Sequence, residues 1–196
     1  MDIGEIDDDA HGITTPRIYT PPLRPLTPAT SDGYGVIEFA ERFLHVNLYP
    51  WQKWLLIHGL ETNPDGSYRF RRVVAEVARQ NGKTTVMSVL CAWWLFVDSG
   101  RRPKLSPSWK FLIVGAAQTL DNARAPYSAV LNWCNPTPQT DEEAALAVPA
   151  LQKRVQRVNN SHGEEAIICR NKAQYIVRAD KNIRSKSASR VVFDEL

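Results

Sequence analysis

Apolar positions along the chain alternate between helical and strand spacing, and the changes of spacing mark out the elements. Val36, Ile37, Ala40, Phe43 and Leu44 share one face at helical spacing, which predicts a first helix. Pro50 suits the first turn of a second helix, which carries Trp51, Trp54, Leu55 and His58. Asn63-Pro64-Asp65-Gly66 signals a turn. Phe70 to Val77 reads as a strand that runs straight into the loop Ala78 to Thr84. Thr85 to Val97 is apolar on almost every side (Val86, Val89, Leu90, Trp93, Trp94, Val97), which predicts a buried helix. Pro103 and Pro107 mark a connection.

Within Trp109 to Ala117, the run Phe111-Leu112-Ile113-Val114 fits an interior parallel strand covered on both faces. A helix over Leu120 to Trp133 follows, and Thr140 with Glu143 forms a capping box for another that Pro149 bends or breaks. Ala166 to Cys169 and Tyr175 to Val177, separated by Asn171-Lys172, predict a hairpin. Arg190 to Phe193 is a short apolar strand that ends at Asp194-Glu195. This succession predicts an α/β fold with a mainly parallel sheet covered by helices.

Residues 1 to 33 differ in character. Asp7, Asp8 and Asp9 form an acidic cluster, and Pro16, Pro21, Pro22, Pro25 and Pro28 hold the chain extended. A disordered or draped arm is expected there. The remainder, 34 to 196, is expected to be one domain, since 43% of the 196 residues are hydrophobic and a real core is within reach. Cys91, Cys134 and Cys169 are odd in number and widely spaced, so neither a disulfide framework nor a zinc site is suggested. His11, His45, His58 and His162 show no ligand spacing. No signal-peptide pattern opens the chain, and the apolar stretch Cys91 to Val97 is too short to span a bilayer. Net charge is only +3, but Lys153 to Arg190 holds ten Lys or Arg against Glu164, Glu165 and Asp180. Such a block either follows a phosphate backbone or is a solvated surface.

The chemistry-bearing residues lie in a few short segments of the chain. In Gly82-Lys83-Thr84, glycine lets backbone approach phosphate, lysine reaches the terminal phosphates, and the threonine hydroxyl ligates magnesium. The triplet is common by chance, but a strand before it and a buried helix after it are the context the chemistry needs. The glycine usually found five positions before Gly82 is Val77 here. Val191 to Glu195 fits a strand that delivers Asp194 to magnesium and Glu195 to an attacking water. Gln52, in Pro50-Trp51-Gln52, has the donor and acceptor that match an adenine edge, though a helix start of this type is more often packing. Arg79 lies where it would meet a γ-phosphate and stabilise transition-state charge.

Together these segments resemble the large terminase subunits of tailed double-stranded DNA phages, the motors that package the genome. The resemblance rests on Pro50-Trp51-Gln52, Arg79 to Thr84 without the first glycine, Val114 to Thr119 with Asn122-Ala123-Arg124, and Val191 to Glu195. It covers residues from about 34 onward and implies a RecA-like P-loop NTPase fold. It implies that Gln52 contacts adenine, that Arg79 acts as an arginine finger in cis, and that Gln80, Asn81, Gly82, Lys83, Thr84 and Thr85 cradle the phosphates of ATP. Thr84 and Asp194 would hold Mg2+, and Glu195 would activate water. Implied partners are double-stranded DNA, a portal protein, a small terminase subunit and further copies in a ring, in the host cytoplasm at a procapsid and without a membrane. Family members continue past the Asp-Glu strand into further strands, a coupling motif and an RNase H-like nuclease domain. This chain is therefore expected to be the ATPase part alone, with the sheet incomplete at its C-terminus. A superfamily-two helicase-like ATPase, or a DNA- or partner-binding fragment without turnover, are the alternative readings.

Overall fold

The structure, a computed structural model, describes residues 13–101, 109–161, 163–179 and 187–194. Asp7 to Asp9, His11, Pro103, Pro107, His162, Asp180, Lys181, Arg184, Lys186, Glu195 and Leu196 lie outside the described residues. The chain divides into two compact units, Met1–Arg79 and Gln80–Leu196.

In the first unit, helix α1 (Gly33–Arg42) packs against helix α2 (Pro50–Gly59). Pro50 occupies the first turn of α2, where its missing N–H costs nothing. The contact between the helices is backbone on backbone. A Cβ at Gly33 would stand 2.4 Å from the Leu56 carbonyl carbon. The described part of the proline-rich arm is draped, and buried Glu61 holds it at Pro21 and Leu23. One carboxylate oxygen of Glu61 accepts the Leu23 N–H (3.0 Å) and the other accepts from Arg69 (2.7 Å), whose guanidinium also reaches the Pro21 carbonyl (2.8 Å). Asn63 to Gly66 forms the expected turn, with Gly66 at φ 79° and its N–H on the Asn63 carbonyl.

Phe70 to Val77 does not form the expected strand. These residues run outside any ladder among the described residues, and Val73 and Val74 are exposed. A strand in a parallel sheet must bury both faces. Here Arg71, Arg72 and Glu76 lie solvated beside the two valines, and the segment buries neither face.

The second unit is α/β. Helix α3 (Lys83–Trp93) widens into a π turn (Trp94–Asp98) and ends in α4 (Ser99–Arg101). Strand β1 (Leu112–Ala117) leads into α5 (Leu120–Cys134), α6 (Asp141–Leu146) and α7 (Pro149–Gln152). Strands β2 (Val155–Asn159), β3 (Ala166–Cys169), β4 (Gln174–Ala179) and β5 (Arg190–Asp194) complete a sheet of order β2-β3-β4-β1-β5. Of the expected capping box the Thr140 half forms, with Oγ1 accepting the Glu143 N–H at 3.1 Å, while Glu143 Oε2 accepts the Gln139 N–H (2.8 Å) instead of that of Thr140. Pro149 starts α7 after α6 has ended.

The sheet is mixed, not mainly parallel. β1 pairs in parallel with β4 and β5, but β2/β3 and β3/β4 are antiparallel. Connection length decides this. The expected hairpin at Asn171-Lys172 turns tightly, with Lys172 at φ 69°, and the short link from Asn159 to Ala166 has no room for a crossover helix. Helices α3 and α5 lie side by side, and α5 packs on β1 and β4. Beneath them Ile113, Tyr175, Val177 and Ile167 are fully buried. Cys91, Cys134 and Cys169 are free thiols in this core.

Gly33→Ala is expected to push α1 and α2 apart and lower unfolding stability by about 1–3 kcal/mol, the usual cost of overpacking. Urea unfolding followed by tryptophan fluorescence measures this, and an unchanged midpoint would contradict the close approach.

Candidate functional site

The loop before α3 curls because two of its residues take left-handed backbone. Gln80 has φ 63° and Gly82 has φ 77°, with Asn81 between them at negative φ. Alternation of this kind turns successive N–H groups toward one point, a cradle for an anion. Gly82 is the N-cap of α3, and no side chain caps that end. The glycine N-cap supplies no side chain to the first N–H groups of the helix, which lie at the positive end of its dipole. Lys83, Thr84 and Thr85 are half-buried, and Arg79, Gln80 and Asn81 are exposed.

Three contacts fix the direction of α3. Cys91 meets the Tyr175 hydroxyl, which lies over β1 at Gly115, where an added Cβ would stand 2.8 Å from that oxygen. Further along, Asp98 pairs with Arg190 at the start of β5 (2.8 Å). The Ser99 hydroxyl then accepts from Asn171, in the turn before β4 (3.0 Å). The C-terminal end of the helical run thus sits where β4 and β5 begin, and α3 runs antiparallel to them. From Cys91 back to Lys83 the helix climbs ~12 Å at about 1.5 Å per residue. From Gly115 to the end of β1 the strand climbs only ~7 Å at about 3.3 Å per residue. Lys83 therefore emerges a few ångströms beyond the carboxyl ends of the strands.

Asp194 is at the same end. Its register partner is Ala117, the last residue of β1, which also pairs with Ala179, the last of β4. Parallel partners project to the same side. Asp194 thus shares the sheet face of Ala117 and Gly115, the face that α3 and α5 cover. Ligands of open α/β sheets bind beyond the carboxyl ends of the strands, and Lys83, Thr84, Thr85 and Asp194 converge there.

The other expected residues fall elsewhere. Gln52 belongs to the first unit and is 1% exposed, and its Oε1 accepts the Tyr49 N–H at 2.8 Å. As placed, it closes the start of α2. Arg79 closes the first unit, and Glu195 lies outside the described residues. The described residues contain no group of three or more His, Cys, Asp or Glu able to hold a metal. No helix among them is long and apolar enough to cross a membrane.

Sequence reading missed two long-range ion pairs. Arg124 on α5 donates Nε to Glu165 Oε1 at 2.8 Å, donates Nη2 to the same oxygen, and donates Nη1 to Asp121 at 2.7 Å. Asp98 and Arg190 form the second pair. The partners lie 41 and 92 positions apart, so no local pattern announces either. Burial raises the affinity of the Glu165 carboxylate for protons. The hydrogen bonds and charge of Arg124 outweigh this and hold it below its ordinary 4.5. No protein-family model, curated protein or solved structure matches the chain.

Because the Glu165 carboxyl titrates lower in the folded chain than in the unfolded one, its contribution is complete above pH 4.5 and is lost as pH falls through the folded value. Glu165→Gln should lower stability at neutral pH by about 1–3 kcal/mol and should flatten the acid limb of the stability profile. Denaturant titrations from pH 7 down to about pH 3 measure both effects. Parallel profiles for variant and wild type would refute the assignment.

Proposed function

We propose that this chain is the ATP-binding part of a DNA-packaging motor of the terminase large-subunit type. The observation that carries the reading is the antiparallel run of α3, which brings the start of the Lys83 helix and Asp194 to the same end of one sheet. The glycine N-cap of α3 and the left-handed curl at Gln80 and Gly82 fit a phosphate group. In this reading the Lys83 ammonium neutralises the terminal phosphates, and the N–H groups from Asn81 to Thr85 orient them. Thr84 and Asp194 are the residues that would hold magnesium. The ion would supply charge neutralisation on the phosphate oxygens. Glu195 would polarise the attacking water, and Arg79 would stabilise developing charge. The adenine role of Gln52 is left out of this proposal, because its carbonyl oxygen is engaged at the start of α2.

The opposite end of the second unit supports the DNA part of the reading. Arg101 closes α4, Lys110 precedes β1, Lys172 sits in the β3-β4 turn, and Lys153, Arg154 and Arg170 lie beside it. All six are exposed. The main chain ties the last three together, with the Arg170 N–H on the Arg154 carbonyl (2.9 Å) and its Nε on the Lys153 carbonyl (2.9 Å). Cations gathered at one end suit a phosphate backbone.

Lys83→Ala should weaken magnesium-ATP binding about tenfold or more, a loss of ~1.4 kcal/mol per factor of ten. Calorimetric titration of the 196-residue chain measures this, and equal affinity in variant and wild type would remove the phosphate-loop assignment. For the DNA part, Lys153→Glu with Lys172→Glu should weaken duplex binding and reduce the salt slope by about one for each phosphate no longer neutralised. Binding that is independent of salt, or unchanged in that variant, would remove it.

A further inference from the structure

Packing of α3 on the sheet is apolar: Val89, Cys91, Ala92 and Trp93 are all buried. Apolar packing is non-directional, so by itself it leaves the axial position of a helix on a sheet weakly specified. Only a directional contact fixes it. At the foot of α3 there are two, the Ser99 hydroxyl accepting from Asn171 before β4 (3.0 Å) and the Asp98–Arg190 pair, with Nη2 to Oδ2 at 2.8 Å and the Asp98 residue fully buried; the second is the one that reaches β5.

We infer that the Asp98–Arg190 pair is an axial lock that sets how far α3 stands along β5, and thereby positions Lys83 and Thr84 against Asp194. The inference rests on the nucleotide-site reading above. The guanidinium is where three elements meet. It lies over the rings of Trp94 in the π turn (5.9 Å) and Phe111 just before β1 (5.5 Å), while Nη1 donates to the Ser189 carbonyl (2.8 Å). The neighbouring Ser189 N–H reaches the Leu112 carbonyl at 2.8 Å, so the start of β5 is also registered on β1. On the helix side, Asp98 ends the π turn Trp94–Asp98. Such turns sacrifice regular helical bonding and recur where a side chain must be placed.

The energetics favour positioning over stabilisation. Burying a carboxylate and a guanidinium costs about what their attraction returns, so a buried pair contributes little net stability but punishes misregistration. The lever is rigid on both sides. From Asp98 to Lys83 the helix is ~22 Å long at about 1.5 Å per residue. From Arg190 to Asp194 the strand is ~13 Å at about 3.3 Å per residue. A slip at one end of these rods arrives undiminished at the other, and a misplacement of about 1 Å in a reacting site costs on the order of 10²-fold.

The test compares Asp98→Asn, Arg190→Gln and the double variant. It measures unfolding stability and the magnesium enhancement of ATP binding, taken as the ratio of Kd without and with the ion. Each single variant should lose stability, because it removes the opposite charge from a largely buried ion pair. The double variant should regain most of that stability, yet its magnesium enhancement should fall about tenfold, since the contact that registers the helix on β5 is then gone. A double variant with wild-type stability and wild-type enhancement overturns the lock and leaves the nucleotide-site reading intact. A wild-type chain whose ATP binding magnesium does not enhance overturns both. If the double variant does not fold, Arg190→Lys replaces it: the charge is kept but the planar fork is lost, and a several-fold smaller enhancement is expected. Unchanged enhancement in Arg190→Lys overturns the lock.

Discussion

Tyr175 lies across β1 because position 115 has no side chain. With Gly115 as the floor, the phenol spans from β4 over the neighbouring strand and reaches Cys91 on α3. That one overlap binds strand, strand and helix at a common height. The direction of α3 follows from it once Asp98 and Ser99 are anchored lower down, and so does the convergence of the helix start with Asp194. Tyr127 from α5 packs on the same ring, with centroids 5.4 Å apart, so the second helix is referenced to the same residue.

Legibility in the sequence follows range. Elements announced by local spacing formed where expected: the helix over Leu120–Cys134, the Thr140 cap, the Asn171-Lys172 turn and the strand over Leu112–Ala117. The short strand before Asp194 also formed. The strand expected at Phe70 to Val77 did not, because a β-branched run reports only that a segment tolerates extension. Whether a neighbour exists to pair with it is a property of the whole fold. Sheet direction was misread for a related reason. The apolar run at Phe111 to Val114 suggested a mainly parallel sheet, while the links around β3 were too short to permit it.

For the candidate site, the residue types in the loop were legible and their conformation was not. Nothing in the letters Arg79-Gln80-Asn81 requires Gln80 to be left-handed, yet the curl depends on it. Gln52 shows how one side chain fits two readings. Its chemistry suited an adenine edge, but a helix beginning at Pro50 also needs a group for the Tyr49 N–H, and Gln52 supplies it. The long-range pairs were invisible for a simpler reason: an aspartate and an arginine 92 positions apart look the same on paper whether or not they meet.

The buried thiols have a consequence of their own. Burial pushes Cys91 and Cys169 up to about 12 and moves Cys134 in the same direction, so none presents thiolate at neutral pH while the core is closed. Once the core opens, each returns to ordinary thiol reactivity. The three side chains sit under α3, under α5 and at the end of β3, so they sample different parts of one unit. The protein thus carries three internal markers of local opening, and the order in which they become modifiable would record which part of the sheet's cover lifts first.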